Sequence, residues 1–398
     1  MKIAILTSGI LPVPAVQGGA VENLVDFYLD YNDRHRLHDI TVFSVAHPDV
    51  AAHAALRSDC NHYQQIDTTS LWAKGGRWLY KTLHRKEYYN YFIEYFFEQA
   101  WQVIRHQQFD CIVLENRPGY AYKLSQRTDT PLVLHLHNDL LNATTPHHQE
   151  VFSSLSKILT VSDFIKGRVE SILTEVPSQS GKVKTVHNGI DLQRFARGQA
   201  TTVSRATLGF ADDDFVLLFS GRINRDKGVA ELIEALLQLR SLPRLRLLVL
   251  GSTFFGNAHA DDALVSKLKQ QAQPIAERIV FTGFIPYGDM PSYLQLADVA
   301  VIPSVWDDPF PTTVLEALAM QLPIITTQRG GIPEEVDEKC ALLVPADEHL
   351  PSHLADAIRL LYEQPEQRAL MSRQAAERAR YFDRDRFARD FFNSITTP

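Results

Sequence analysis

Short apolar runs alternate with longer amphipathic ones along this chain, and they do so in two separate blocks. That alternation is the pattern of parallel β-strands joined by helical crossovers. In the first block the strand-like runs are residues 2–7, 40–45, 111–115, 132–137, 158–161 and 183–187, with helix-like stretches at 21–31 and 88–105. In the second they are residues 215–220, 245–250, 279–282, 299–303, 324–327 and 341–344, and helices are predicted over 229–240, 291–296 and 312–320. The seam at 194–214 is polar and strand-free, and 195–202 reads as linker. Residues 366–381 and 384–395 read as helices with arginine-rich faces. The expected architecture is α/β: two Rossmann-like doubly wound domains facing across a cleft. Such sheets bind ligands at the carboxyl ends of their strands, so a ligand between the domains is expected.

The chain has 398 residues, more than one core usually supports. Hydrophobic residues are 45% and charged ones 22%, which excludes a disordered chain. A formal net charge of -7 argues against a nucleic-acid partner. Cys60, Cys111 and Cys340 are few and widely spaced, so they form neither a disulfide framework nor a metal knuckle, and a reducing compartment fits. The N-terminal apolar run is too short for a signal h-region, and no stretch approaches a membrane span. A cytoplasmic protein is expected, with contact at the inner membrane face left open.

Two segments of the second block carry chemistry. Ser220-Gly221-Arg222-Ile223-Asn224-Arg225-Asp226-Lys227-Gly228 follows a strand and opens a helix. Gly221 and Gly228 permit close backbone approach, while Arg222 and Lys227 suit a diphosphate. A solvated turn with surface cations is the plain alternative. Asp308-Pro309-Phe310-Pro311-Thr312-Thr313-Val314-Leu315-Glu316-Ala317 follows the strand 299–303. Thr312 or Thr313 can cap its helix, and Glu316 one turn inside can accept two ribose hydroxyls. A capping glutamate on a solvated turn is the alternative.

These two segments, in this order and in a second Rossmann-like half, resemble the retaining glycosyltransferase family 4 of the GT-B fold. Five further segments look like parts of that family: Gln17-Gly18-Gly19-Ala20-Val21-Glu22, its N-terminal glycine loop; Leu134-His135-Leu136-His137-Asn138, a strand ending in a cleft histidine; Val161–Lys166; His187-Asn188-Gly189-Ile190-Asp191; and Phe281-Thr282-Gly283-Phe284, its base-binding loop. Asp308 departs from the family's usual glutamate and is one methylene shorter. Asn138 stands where aspartate is common.

The resemblance implies a division into an acceptor-side domain at 1–195, a donor-side domain at 203–381, and a helix at 382–398 packing back on the first. It implies a glycosyltransferase of the hexosyltransferase type, using a nucleotide-sugar co-substrate; no metal cofactor is expected, since no His/Cys/Asp cluster suggests a metal site and Arg222 with Lys227 can substitute for a cation. Arg222 and Lys227 would neutralise the diphosphate, Glu316 would hold the ribose, and Asp308 would hold the donor sugar with the backbone of Phe310, Pro311 and Thr312. Gly18, Gly19, Gly221, Gly283, Phe284 and Thr313 would line the donor. His137 would contact the transferring sugar or acceptor, Glu115 and Asn138 the acceptor, and His135 would be structural.

Residues 71–101 are unusual. Lys74, Arg77, Lys81, Arg85 and Lys86 occur without an acidic residue up to 86, and Trp72, Trp78, Tyr80, Tyr88, Tyr89, Tyr91 and Phe92 are interleaved. Such a segment can rest on an anionic membrane, or it can be a core helix with one wet face. A lipid-linked or surface-polysaccharide acceptor follows from the first reading. The rivals are a nucleotide-sugar epimerase or glycosyl hydrolase of the same architecture and a non-catalytic sugar-nucleotide-binding subunit. Asp212-Asp213-Asp214 and Asp261-Asp262 read as solvated caps rather than a metal pair.

Overall fold

The computed structural model of the chain describes residues 1–84, 88–174, 181–253 and 263–396. The chain divides into two compact units, one formed by Met1–Asn188 with Asp385–Pro398 and the other by Gly189–Arg384.

The first unit is built on a seven-stranded parallel sheet: β1 (Lys2–Leu6), β2 (Asp39–Val45), β3 (Asn61–Ile66), β4 (Cys111–Glu115), β5 (Leu132–Leu136), β6 (Leu155–Thr160) and β7 (Val183–Thr185). Their order is β3-β2-β1-β4-β5-β6-β7. Residues 3–6, 111–115 and 132–136 are buried throughout, as expected of strands covered on both faces. β3 is not among the expected strands. Its sequence is Asn-His-Tyr-Gln-Gln-Ile, and as an edge strand it has only β2 to pair with. The helices that matter below are α1 (Ala20–His35), α2 (Leu71–Leu83) and α3 (Tyr91–Ile104).

The helix Arg384–Thr396 belongs almost wholly to this first unit. Phe387, Phe391, Phe392 and Ile395 enter its core beside Tyr28, Ile3 and Val113. Phe391 stacks on Tyr28 with ring centroids 4.2 Å apart. At the rim Arg34 pairs with Asp385, and Lys157 Nζ donates to the Ser394 carbonyl at 3.0 Å.

The second unit holds six parallel strands: β8 (Phe215–Ser220), β9 (Leu245–Leu250), β10 (Ile279–Gly283), β11 (Val299–Ile302), β12 (Ile324–Thr327) and β13 (Ala341–Val344). Their order is β10-β9-β8-β11-β12-β13. Each sheet reverses its winding once, between β1 and β4 and between β8 and β11. Doubly wound sheets bind ligands at such reversals, beyond the carboxyl ends of the strands.

Two expectations need correction here. Residues 195–202 are not a free linker. Phe195 is fully buried with its ring 5.4 Å from Tyr287, and Thr202 N donates to Ser292 Oγ at 3.4 Å. Polar composition hid the fact that these partners lie within the second unit, which starts at Gly189. Asp214 is not a solvated cap either. It is 4% exposed, accepts from Ala211 N at 2.8 Å and pairs with Arg246 at 3.1 Å. Asp261 and Asp262 lie outside the described residues.

Candidate functional site

In the second unit the reversal point gathers the two segments singled out above. The turn carrying Arg222 and Lys227 leaves β8, and the loop carrying Asp308 leaves β11, its hydrogen-bonded neighbour. The turn is not a direct strand-to-helix step. A short 3-10 segment, Arg225–Lys227, comes first, with Asn224 Oδ1 accepting from Lys227 N at 3.2 Å. Gly228 then takes φ 72° and opens the helix Val229–Gln238. A Cβ there would lie 1.9 Å from the Pro303 carbonyl oxygen, so glycine is what lets the turn approach the end of β11. Val305 N donates to the Asp226 carbonyl at 2.9 Å and ties the two segments.

Lys227 and Asp308 form an ion pair. Asp308 is 4% exposed, and the Lys227 ammonium lies 5.7 Å from the centroid of the Trp306 ring. Arg222 is exposed on the same turn. Gly283, at the end of β10, is drawn toward this group through backbone alone. Gly251 N donates to the Gly283 carbonyl at 3.0 Å, and a Cβ on Gly251 would lie 1.9 Å from the Gly221 oxygen. Gly251 was not expected as part of the site; a glycine directly after a strand was its only signal. Phe284 is half-buried, Phe310 and Pro311 are buried, and Thr313 Cγ2 lies 3.7 Å from where a Cβ of Gly221 would stand.

The helix Thr312–Ala319 begins after Pro311, which occupies the cap position without a side-chain bond, so neither Thr312 nor Thr313 caps it. The Thr312 side chain instead bonds Glu316 one turn on. Glu316 is not solvated: it is 5% exposed, and burial pushes its carboxyl up to about 8, the Thr312 bond opposing the shift. Tyr287, with Arg194 and Asp191 nearby, shares its surroundings and is also raised by burial.

Glu335 escaped the sequence reading. It closes the short helix Ile332–Glu335, is fully buried, and neither carboxylate oxygen has a hydrogen-bond partner. Burial, then the neighbouring Asp308 charge, raises it well above the usual carboxylate range. Its place behind the Asp308 loop is fixed by Gly331 N, which donates to the Asp308 carbonyl at 2.8 Å.

In the first unit the reversal point lies between β1 and β4. Gly18 and Gly19 sit at φ 76° and 104° in the loop after β1. A Cβ on Gly19 would stand 2.3 Å from Glu22 Oε2, whereas Gly18 faces open space. Ser8 Oγ donates to Glu22 Oε1 at 3.3 Å, and burial raises Glu22 to about 7.

Glu115 ends β4, and His135 and His137 lie on one face of β5 and its continuation. His137 Nε2 lies 2.8 Å from Glu115 Oε2, His135 Nδ1 lies 3.1 Å from the same oxygen, and Tyr28 Oη donates to Oε1 at 2.9 Å. Burial alone would raise Glu115, but the His135 charge and both histidine hydrogen bonds hold it well below the usual carboxylate range. Burial, then His135, lowers His137 to about 4, so its ring is neutral. With Nε2–H given to Glu115, His137 Nδ1 is left as a buried acceptor without a partner. The three residues offer ligand atoms within 4.8 Å of one another, but hydrogen bonds already satisfy the carboxylate. Glu115 has no exposed surface, and its oxygens are taken by Tyr28, His135 and His137. His135 is packed 5.4 Å from the Phe391 ring, as a structural histidine would be. Asn138 is half-buried just beyond.

Residues 71–101 split in two. α3 is a core helix, with Ile93, Phe96, Phe97 and Ala100 buried. In α2 only Ala73 is buried. Arg85 and Lys86 lie outside the described residues. Among the described residues no helix is long and apolar enough to cross a membrane.

Comparison with known proteins agrees with this geometry. The family profile described as "Glycosyltransferase Family 4" matches residues 33–194, and that described as "Glycosyl transferases group 1" matches residues 201–378. YtcC of Bacillus subtilis (strain 168), which carries a glycosyltransferase name, is 30% identical over 368 residues, 90% of this chain and 82% of the relative. Spore coat protein SA of the same organism is 28% identical, over 95% of this chain and 94% of its own. Among solved structures, Anabaena HepE in complex with UDP superposes with a TM-score of 0.70 at 21% identity, over 100% of both chains. WaaG, a glycosyltransferase involved in lipopolysaccharide biosynthesis, does so at 0.68 and 15%, again over 100% of both. The fold of both units is that of the GT-B enzymes, and with the two profiles and the full-length relatives, the chain belongs to the family 4 glycosyltransferases.

Proposed function

We propose that this enzyme moves a sugar from a nucleoside-diphosphate sugar to an acceptor hydroxyl, with retention of anomeric configuration and without a metal ion. The carrying observation is that the Arg222–Lys227 turn and the Asp308–Glu316 segment leave adjoining strands at the reversal point of one sheet. A diphosphate needs fixed positive charge, which Arg222 and Lys227 supply; ribose hydroxyls need an acceptor, which Glu316 supplies; and Asp308 with the backbone at 310–312 suits a sugar. Gly221, Gly283, Phe284 and Thr313 complete the donor side. Structures of HepE with UDP and with UDP-glucose support a nucleotide-sugar donor.

In the reaction the C1–O bond to the diphosphate breaks and the acceptor oxygen bonds C1 from the same face. The acceptor proton passes to the departing phosphate oxygen. Catalysis is then positioning plus electrostatic stabilisation by cations already in place. Neither Asp308, paired with Lys227, nor Glu115, enclosed by its donors, is read as a nucleophile. The first unit, with Asn138 and His137 Nδ1, is read as the acceptor side, while Gly18 and Gly19 let backbone amides approach the donor phosphate or the acceptor. A glycan acceptor, lipid-linked or part of a surface polysaccharide, is supported by a Salmonella typhimurium relative named lipopolysaccharide 1,2-N-acetylglucosaminetransferase, 28% identical over 58% of each chain.

The test is a panel of nucleotide sugars with and without EDTA, the product anomer read by NMR. Turnover of one donor with retention and undiminished by EDTA is expected. An inverted product would overturn the same-face mechanism, and EDTA-sensitive turnover restored by magnesium or manganese would overturn metal independence.

A further inference from the structure

α2 shows two opposite faces. Ala73, Gly76, Arg77 and Tyr80, spaced three and four apart, turn toward α3. Arg77 lies over the Phe92 ring at 5.0 Å, Tyr80 lies 6.5 Å from Tyr91, and a Cβ on Gly76 would meet the Tyr95 ring at 3.2 Å. The other face carries Leu71, Trp72, Trp78, Leu79 and Leu83. At about 100° per residue these occupy a continuous arc of roughly 140°. Leu71 is 84% exposed, Trp72 91%, Trp78 66%, Leu79 51% and Leu83 69%. An apolar stripe of this size in water marks a surface made to be covered. Lys74 and Lys81 are exposed along one border of the stripe, and the helix has no acidic residue, although the chain as a whole carries -7.

We infer that α2 lies in the interface of an anionic phospholipid membrane, its axis along the surface and the stripe of Leu71, Trp72, Trp78, Leu79 and Leu83 below the headgroups. Tryptophan suits the headgroup level because its body is apolar and its N–H polar. Lys74 and Lys81 reach anionic headgroups from the border of the stripe, their stems lying along it. A local positive charge on an acidic protein selects a negatively charged surface. A second copy of the chain fits less well, because an antiparallel two-fold pairing of this stripe puts the bordering lysines of both copies on one side of the seam, and no acidic residue of the helix offsets them. The docking rests on the helix alone; only its use, bringing the enzyme to a lipid-linked acceptor, rests on the function proposed above.

The experiment is flotation of the full chain with phosphatidylcholine vesicles, with or without phosphatidylglycerol, beside Trp72→Ala/Trp78→Ala and Lys74→Glu/Lys81→Glu. Thermal melting and donor turnover on a water-soluble acceptor serve as fold controls. Binding to the anionic vesicles is expected to exceed that to neutral ones at least tenfold and to fall with salt. The tryptophan pair should lose tenfold or more, and the lysine pair at least as much, since each basic residue at the surface adds about fivefold. Both variants should keep wild-type melting and soluble-acceptor turnover. Equal binding to both vesicle types, or vesicle binding unchanged in the tryptophan pair, would overturn the inference. So would a concentration-dependent dimer that the tryptophan pair abolishes while the wild type ignores vesicles, which would make the stripe a contact between copies. A wild type that floats yet turns over no donor would overturn the proposed function and leave the docking standing.

Discussion

Lys227, on the turn after β8, is held by Asp308, from the loop after β11. Under the proposed function an incoming diphosphate would compete with a carboxylate already in place, and the two residues would act as one unit. Lys227→Ala and Arg222→Ala are each expected to lower kcat/KM by about a hundredfold or more, on the scale of roughly 2.7–4 kcal/mol for one lost transition-state donor. Asp308→Ala should shift donor-sugar preference as well as rate. Lys227→Ala/Asp308→Ala should fall well short of the product of the single effects, because groups in one ion pair couple. Strictly multiplicative rate losses would show that Lys227 and Asp308 act independently and not as one unit.

With Glu316 as the proposed ribose ligand, nucleotide binding acquires a pH dependence. The Glu316 carboxyl is raised to about 8 in the free protein, while two ribose hydroxyls need an ionised acceptor. Binding therefore releases a proton, and affinity should rise with pH, by nearly tenfold per unit below 8, and level off above it. Glu316→Gln should bind more weakly at high pH, by roughly 1.5–3 kcal/mol for a lost charged hydrogen bond, and show little slope. Calorimetric titration with UDP from pH 6 to 9 measures both; a flat wild-type profile would remove Glu316 from the ribose site.

The histidine cluster predicts acid lability. His137 falls to about 4 in the folded chain, against about 6.5 when unfolded. The unfolded state thus binds more protons between those values, and stability contributed by the neutral ring is lost as pH drops through that window. Glu115, also depressed, adds a loss that begins as pH falls through the usual carboxylate range and continues below it. His137→Gln should flatten the limb between about 6.5 and 4 in urea unfolding. Glu115→Gln should cost roughly 1.5–3 kcal/mol at pH 7, with a loss of kcat, since it frees the His137 ring. Tyr28→Phe removes one donor only and should cost about 1 kcal/mol.

Phe391 is fully buried, stacked on Tyr28. Phe391→Ala should cost about 3–5 kcal/mol, and ending the chain after Tyr381 should lower the melting temperature of the first unit. An unchanged melting curve for the shortened protein would contradict the packing of this helix.

What the sequence made legible follows burial. The strands of the second unit are mainly apolar runs, Arg246 in β9 being the charged exception, because sheets covered on both faces leave little alternation to misread. β3 went unseen because an edge strand with Asn61, Gln64 and Gln65 carries little of that signal. Arg222, Lys227, Asp308 and Glu316 could be named from spacing, yet their convergence needs the order of the strands, and β8 and β11 are far apart in sequence. The Glu115–His137 bond and the unpartnered Glu335 were likewise out of reach. Both are set by which side chains close over a carboxyl, and no local pattern encodes that.

The helix Arg384–Thr396 has a consequence for how the chain is made. The core of the first unit closes over Tyr28 only when the last helix has been synthesised, and the whole second unit is translated in between. At roughly 5–20 residues per second, the nascent first unit waits on the order of ten seconds or more with an apolar trough open beside the ribosome. It is over that interval, rather than in the finished enzyme, that a chaperone has most to protect.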